Sequence, residues 1–198
     1  MGTLTYASSK DIKLDGQEPE IQWDISDGIT LDEDALGTNK NVPWYYYDDT
    51  RHIGSDGYVA KTKNIKVLDE IRPSSTDYMF YYLSKAEVFE GMDKIKTDRL
   101  GDFAFYYCYN LSTLNLSNIK TIGESTFLNC RRLSNIDLVN VERIGKYAFC
   151  DCWYSTNIKL GDKLKLIDDG AFVNCSSLET ITIPKNVEEI RKWNFLWL

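Results

Sequence analysis

Histidine is almost missing from this sequence: His52 is the only one in 198 residues. Acid–base and nucleophilic catalysis most often turns on an imidazole held within reach of a nucleophile and an orienting group. His52 sits instead in a polar link, so it reads as a solvated imidazole and the chain as non-enzymatic. Positive charge is also short, with 23 Lys and Arg against 30 Asp and Glu and a net charge of −7. Nucleic acid is gripped through clustered cations, so that class of partner is excluded, and local pairs such as Arg131 and Arg132 do not reverse the balance. No apolar run approaches the roughly 18 residues that a membrane span needs, so no membrane insertion is expected. The opening MGTLTYASSKDIKLDGQ has neither the basic nor the apolar region of a secretory signal, and is not expected to address the chain to general export.

Metal-ligand clusters are lacking in the same way. Cys150 and Cys152 form a CxC with too few soft ligands around it for zinc. Asp32, Glu33, Asp34, Asp48 and Asp49 lack the alternating spacing and turn glycine of a calcium loop, and read as solvated acidic loops. No metal and no cofactor is expected.

What is present is a beat. Phe105, Phe127, Phe149, Phe172 and Phe195 lie 22, 22, 23 and 23 residues apart. Three residues after the first four come Cys108, Cys130, Cys152 and Cys175, and five before each Phe comes Leu100, Ile122, Ile144, Ile167 or Ile190. Nine and eleven after come Leu114 and Leu116, Ile136 and Leu138, Ile158 and Leu160, and Ile181 and Ile183, so one coil reads (I/L)xxxxFxxCxxLxxIxL. A fixed period in the low twenties means one supersecondary unit per repeat, stacked so that equivalent apolar residues line a continuous core. The paired apolar positions alternate as a short strand does, and the segment around the Phe is the return path. Four cysteines at one repeat position point to packing, so free buried thiols are expected. An irregular first coil surrounds Phe80, where Leu83 takes the Cys slot, Ala86 the Leu slot and Phe89 the first strand position.

The chain divides into a polar arm over residues 1–20, a β-hairpin and aromatic N-terminal cap over 21–57, and the repeat region over 58–198. Ile21, Trp23 and Ile25 alternate, SDG makes a turn, and Ile29 and Leu31 resume, which is a hairpin signature. Trp44, Tyr45, Tyr46 and Tyr47 then supply an apolar lid for the first coil.

The repeat text IGESTFLNCRRLSNIDL, IGKYAFCDC and IDDGAFVNCSSLETITIPKNVEEI resembles the BspA-type leucine-rich repeat found in bacterial surface adhesins. IQWDISDGITLDEDALG followed by VPWYYY looks like the lead-in that precedes such repeats. Ser155 departs from the pattern, replacing the Leu of Leu111, Leu133 and Leu178. The resemblance implies an α/β repeat, a right-handed leucine-rich-repeat solenoid with short parallel strands, here preceded by the hairpin cap. It also implies a non-enzymatic role in adhesion or recognition, at a cell surface.

Solenoids act by surface. On the strand face Asn115, Asp137 and Lys159 form a polar strip, which reads equally as solubilising surface or as a binding strip. On the return path Tyr82, Tyr107, Tyr109, Arg131 and Trp153 form a row of the residue types enriched at interface hot spots. Tyr81 and Tyr106 are expected to be partly buried. Trp193, Phe195, Trp197 and Leu198 have no polar capping element beside them and read as an interface with neighbouring subunits. The first functional reading is a recognition or adhesion module for a protein or glycan, and the alternative is a structural component of a bacteriophage virion.

Overall fold

The structure, a computed structural model, describes residues 2–6, 21–23, 62–67, 73 and 75–196. The aromatic lid, His52, the second half of the expected hairpin, Trp197 and Leu198 lie outside the described residues.

Six phenylalanines set the stack. Phe80, Phe105, Phe127, Phe149 and Phe172 are almost wholly buried, and consecutive ring centroids lie 4.8, 5.4, 5.2 and 5.5 Å apart, with Phe195 closing the column at 6.1 Å. That spacing matches the separation of hydrogen-bonded strands. Each coil therefore advances the chain by about one strand width, and every repeat position becomes a column.

Three parallel sheets follow the columns. The strands β1 (Gly2–Tyr6), β2 (Ile21–Trp23), β3 (Thr62–Val67) and β4 (Val88–Glu90) form one sheet in the order β2–β1–β3–β4. A second holds β5 (Arg99–Leu100), β6 (Thr121–Ile122), β8 (Arg143–Ile144), β10 (Leu166–Ile167) and β11 (Glu189–Ile190), one from each regular coil. The third pairs β7 (Ile136–Leu138) with β9 (Ile158–Leu160). The apolar-x-apolar positions thus form strands at Phe89, Ile136 and Ile158, whereas Leu114–Leu116 and Ile181–Ile183 occupy the same columns outside any strand. The most extended ladder lies elsewhere, at the Ile or Leu that precedes each Phe by five. Two residues are too short to show alternation in the sequence, so this ladder is invisible there. Within the stretch read as an arm, Gly2–Tyr6 is a strand lying parallel to both Ile21–Trp23 and β3. Its Thr and Tyr residues suit that role.

A close approach explains the glycines that follow β5, β6 and β8, Gly101, Gly123 and Gly145. A Cβ on Gly145 would meet the Gly123 carbonyl at 2.6 Å, so neighbouring coils touch backbone to backbone there.

Among the described residues the return paths hold no α-helix, and the single helical turn described is a 3-10 segment between β4 and β5, Met92–Lys94. The reason lies in the backbone. Residues two before and two after the central Phe have positive φ, from Tyr78 and Tyr82 to Gly170 and Asn174. Left-handed residues at both positions interrupt any helix. They also aim every second N–H along the stack: Phe103, Phe105 and Tyr107 donate to Glu124, Thr126 and Leu128 at 2.9, 2.8 and 2.9 Å, and the same pattern joins the other regular coils. The left-handed strain is offset by these inter-coil bonds. The ladder is consequently polar, with each return path donating to the coil that follows it.

The cysteines complete the column. Cys108, Cys130, Cys152 and Cys175 are buried and free, and each thiol donates to the Phe carbonyl of the preceding coil, at 3.1, 3.1, 3.3 and 3.3 Å. A small, apolar side chain with a weak donor suits that slot. Burial first, then neighbouring thiols and Asp151, pushes Cys175 up to about 12, and Cys130 and Cys152 are raised for the same leading reason. Ser155 also has a local explanation: it is buried, and its hydroxyl donates to the Leu133 carbonyl.

Candidate binding surface

The outer row is built by register. Tyr109, Arg131 and Trp153 each stand four residues after their Phe, and Tyr82 and Tyr107 two after theirs. Stacking the coils brings equivalent side chains one strand width apart. The rings respond by packing on one another: Tyr82 on Tyr107 at 4.9 Å and 6°, and Tyr81 on Tyr106 at 5.1 Å and 3°. Tyr106 and Tyr107 join the two stacks at 4.2 Å, and Tyr107 meets Tyr109 edge-on at 5.2 Å. Tyr81 and Tyr106 are half-buried, as the sequence implies, and belong to the row.

Beyond Tyr109 the row changes chemistry. The Arg131 guanidinium lies between two rings, 4.5 Å from the Tyr109 centroid and 4.2 Å from that of Trp153. Its Nε donates to Asn129 Oδ1 at 3.1 Å. Asp151 accepts from Asn129 at 3.4 Å, from Trp153 Nε1 at 3.2 Å and from Asn174 at 2.8 Å. Asn129, Asp151 and Asn174 occupy the left-handed position that carries Tyr82 and Tyr107 in the first two coils. Asn and Asp tolerate that conformation more readily than Tyr does. Tyr82, Tyr107, Tyr109 and Arg131 are half-buried, while Trp153 and Tyr154 are exposed, the latter by 60%. Burial, then neighbouring Tyr hydroxyls, raises Tyr82, Tyr106 and Tyr109 above the usual phenol range, so they remain protonated.

Tyr154 is missing from the sequence reading. Its column holds Asn110 and Arg132 in neighbouring coils, so no repeated residue type marks it.

The strand-face strip behaves differently. Asn115 and Asp137 accept, through Oδ1, the N–H two residues on, Ser117 and Val139, each at 3.0 Å. Lys159 pairs with Asp137 at 3.8 Å, and all three residues are exposed. These are turn-forming and surface-pair roles. No hydrogen bond or ion pair joins this strip to the aromatic row among the described residues.

At the last described coil, Ile190, Trp193 and Leu196 are exposed by 44%, 55% and 44%, and Phe195 is half-buried. Among the described residues the outer edge of β11 has no partner strand, and the Trp193 and Phe195 N–H groups meet no acceptor. Among the described residues there is no group of three or more His, Cys, Asp or Glu placed to hold a metal ion, and no helix is long and apolar enough to cross a membrane.

Parallel coils, a Phe column and a period in the low twenties define a leucine-rich-repeat solenoid. The family described as the BspA type leucine rich repeat region matches residues 73–197 in six copies, more than half the chain. The chain belongs to that family. Its fold is similar to that of a leucine-rich cell surface protein from Faecalibacterium prausnitzii, at 21% identity and a TM-score of 0.58, over 67% of this chain and 36% of that one. A leucine-rich repeat protein from Eubacterium ventriosum is 21% identical over 70% of this chain and 35% of its own, with a TM-score of 0.43. This chain thus spans about a third of the length of either solved protein. No curated protein matches.

Proposed function

We propose that this chain is a non-catalytic recognition module of the adhesion type, and that it binds a protein through the outer row from Tyr82 to Tyr154. One observation carries the choice of protein over glycan. The ring faces of Tyr82, Tyr107, Tyr81 and Tyr106 lie against one another, and Tyr109 and Trp153 each turn a face to Arg131, so that of the row Tyr154 alone has no ring or cation partner among the described residues. Sugars dock on free aromatic faces, whereas a protein partner can use edges and hydroxyls, as it does at Tyr-rich binding surfaces. The row is also rigid before contact, which reduces the ordering cost of association.

The C-terminal coil supports a second contact, with a neighbouring polypeptide. Among the described residues its apolar side chains are exposed and the Trp193 and Phe195 N–H groups meet no acceptor, so such a neighbour would offer carbonyls in return. Two copies set end to end by this face would oppose donor to donor. The virion reading gains no observation from the fold or the relatives.

Selection of peptides from a random display library on the intact chain tests the main reading. Binders are expected to lose affinity roughly tenfold or more against Tyr107→Ala or Trp153→Ala. A library that yields no binder, or binders indifferent to both changes, would overturn it.

A further inference from the structure

We infer that Arg131 is the specificity-determining residue of this row and that the partner presents an Asp or Glu carboxylate to it. This rests on the reading of the row as a protein-binding surface.

The first argument is an inventory of donors. A guanidinium carries five N–H groups. The Nε–H of Arg131 is taken by Asn129, and its four Nη N–H groups make no hydrogen bond to any described residue. The second is a contrast with other arginines. Arg99 pairs with Asp102 at 2.9 Å, Arg143 with Asp168 at 3.5 Å, and Arg191 with Glu189 at 2.8 Å and Asp168 at 3.0 Å. Arg131 and its exposed neighbour Arg132 form no ion pair among the described residues, although acidic residues outnumber basic ones by 30 to 23 across the chain, and of the two only Arg131 is held between rings.

The third argument is preorganisation. Rings on both sides, and the chain from Asn129 through Asp151 to Asn174, fix the plane and the heading of the fork before anything binds. A planar fork held in this way suits a carboxylate, which can accept two parallel N–H bonds. The flanking rings also keep water from two sides of the cation, so an incoming charge meets a less screened partner there than at an exposed lysine. Asp151, one hydrogen-bonded step behind, and the net charge of −7 both disfavour a dianion such as a phosphate. A single carboxylate on a polypeptide is the group that fits.

The test uses display-selected peptides whose binding to the intact chain depends on Tyr107, which identifies them as row binders. These are expected to share an acidic residue, and its replacement by Asn or Gln should weaken binding roughly tenfold or more. Arg131→Lys keeps the charge but not the fork and should weaken the same peptides. Against Arg131→Met the acid-to-amide change should cost nothing further, because the group it addressed has gone. Row-dependent peptides without an acidic residue, or an acid-to-amide loss that is unchanged against Arg131→Met, would overturn the inference while leaving the row reading intact. Peptides indifferent to Tyr107→Ala would instead count against the row itself.

Discussion

The inner column and the outer row of this solenoid are built by the same stacking but obey different rules. Inside, each regular coil repeats Phe at the centre, and four of the five repeat Cys at the corner, with ring faces near parallel and side chains almost wholly buried except at the half-buried Phe195. Outside, the same register gives Tyr on Tyr in the first coils, an Arg between two rings in the middle, and an Asn–Asp–Asn network beyond. A column in which each residue must fit its own copies above and below converges on one side-chain type. A column facing solvent is free to differ coil by coil, and that variation is where specificity can be written. The comparison assigns stability to the inner column and, on the proposed function, recognition to the outer row.

The largest expected effect comes from breaking the inner column at its centre. Phe127→Ala leaves a cavity between Phe105 and Phe149 and should cost about 3–5 kcal/mol, read as a shift in the chemical-denaturation midpoint. Phe195→Ala, at the half-buried end of the column, should cost clearly less, because only one face of its ring is packed on another Phe. Equal losses at the two sites would contradict a role for ring packing on both faces in the column's stability.

The thiols sharpen the comparison through pH. Burial raises Cys175 and Cys150 from an ordinary 9.0 to about 12, and raises Cys130 and Cys152 in the same direction. The unfolded chain therefore releases these protons first, and stability that is fully present below about pH 9 should fall as pH rises towards about 12. Denaturation followed by circular dichroism across that range should show the loss, and Cys150→Ala with Cys175→Ala should reduce it. An unchanged alkaline slope in that double variant would place the cause elsewhere.

How much of this was legible beforehand follows from the same division. The period, the Phe and Cys columns and the apolar-x-apolar positions can be read directly, because repeated burial demands repeated residue types. The five-stranded ladder cannot, since strands such as Arg99–Leu100 and Thr121–Ile122 show only one buried residue each. The left-handed positions are signalled by Asn129, Asn174 and Gly170, yet Tyr78, Phe103 and Tyr147 adopt the same conformation with no such signal, held there by inter-coil hydrogen bonds. Tyr82, Tyr107, Tyr109, Arg131 and Trp153 could be named, but not Tyr154, the self-stacking of the rings or the clamp on Arg131. Those depend on which coil position lies above which, and Tyr109, Arg131 and Trp153 reveal it only once they are seen as a single column.

The smallest expected effect on stability is also the most telling. In the Arg131→Met chain, denaturation and binding of a row-selected peptide should be measured side by side. The account predicts a stability loss of no more than about 1–2 kcal/mol, from the lost cation–ring contacts, together with a roughly tenfold or greater loss of peptide affinity. Retained affinity, or a loss of stability as large as that of Phe127→Ala, would contradict the separation of a supporting column from a recognising row.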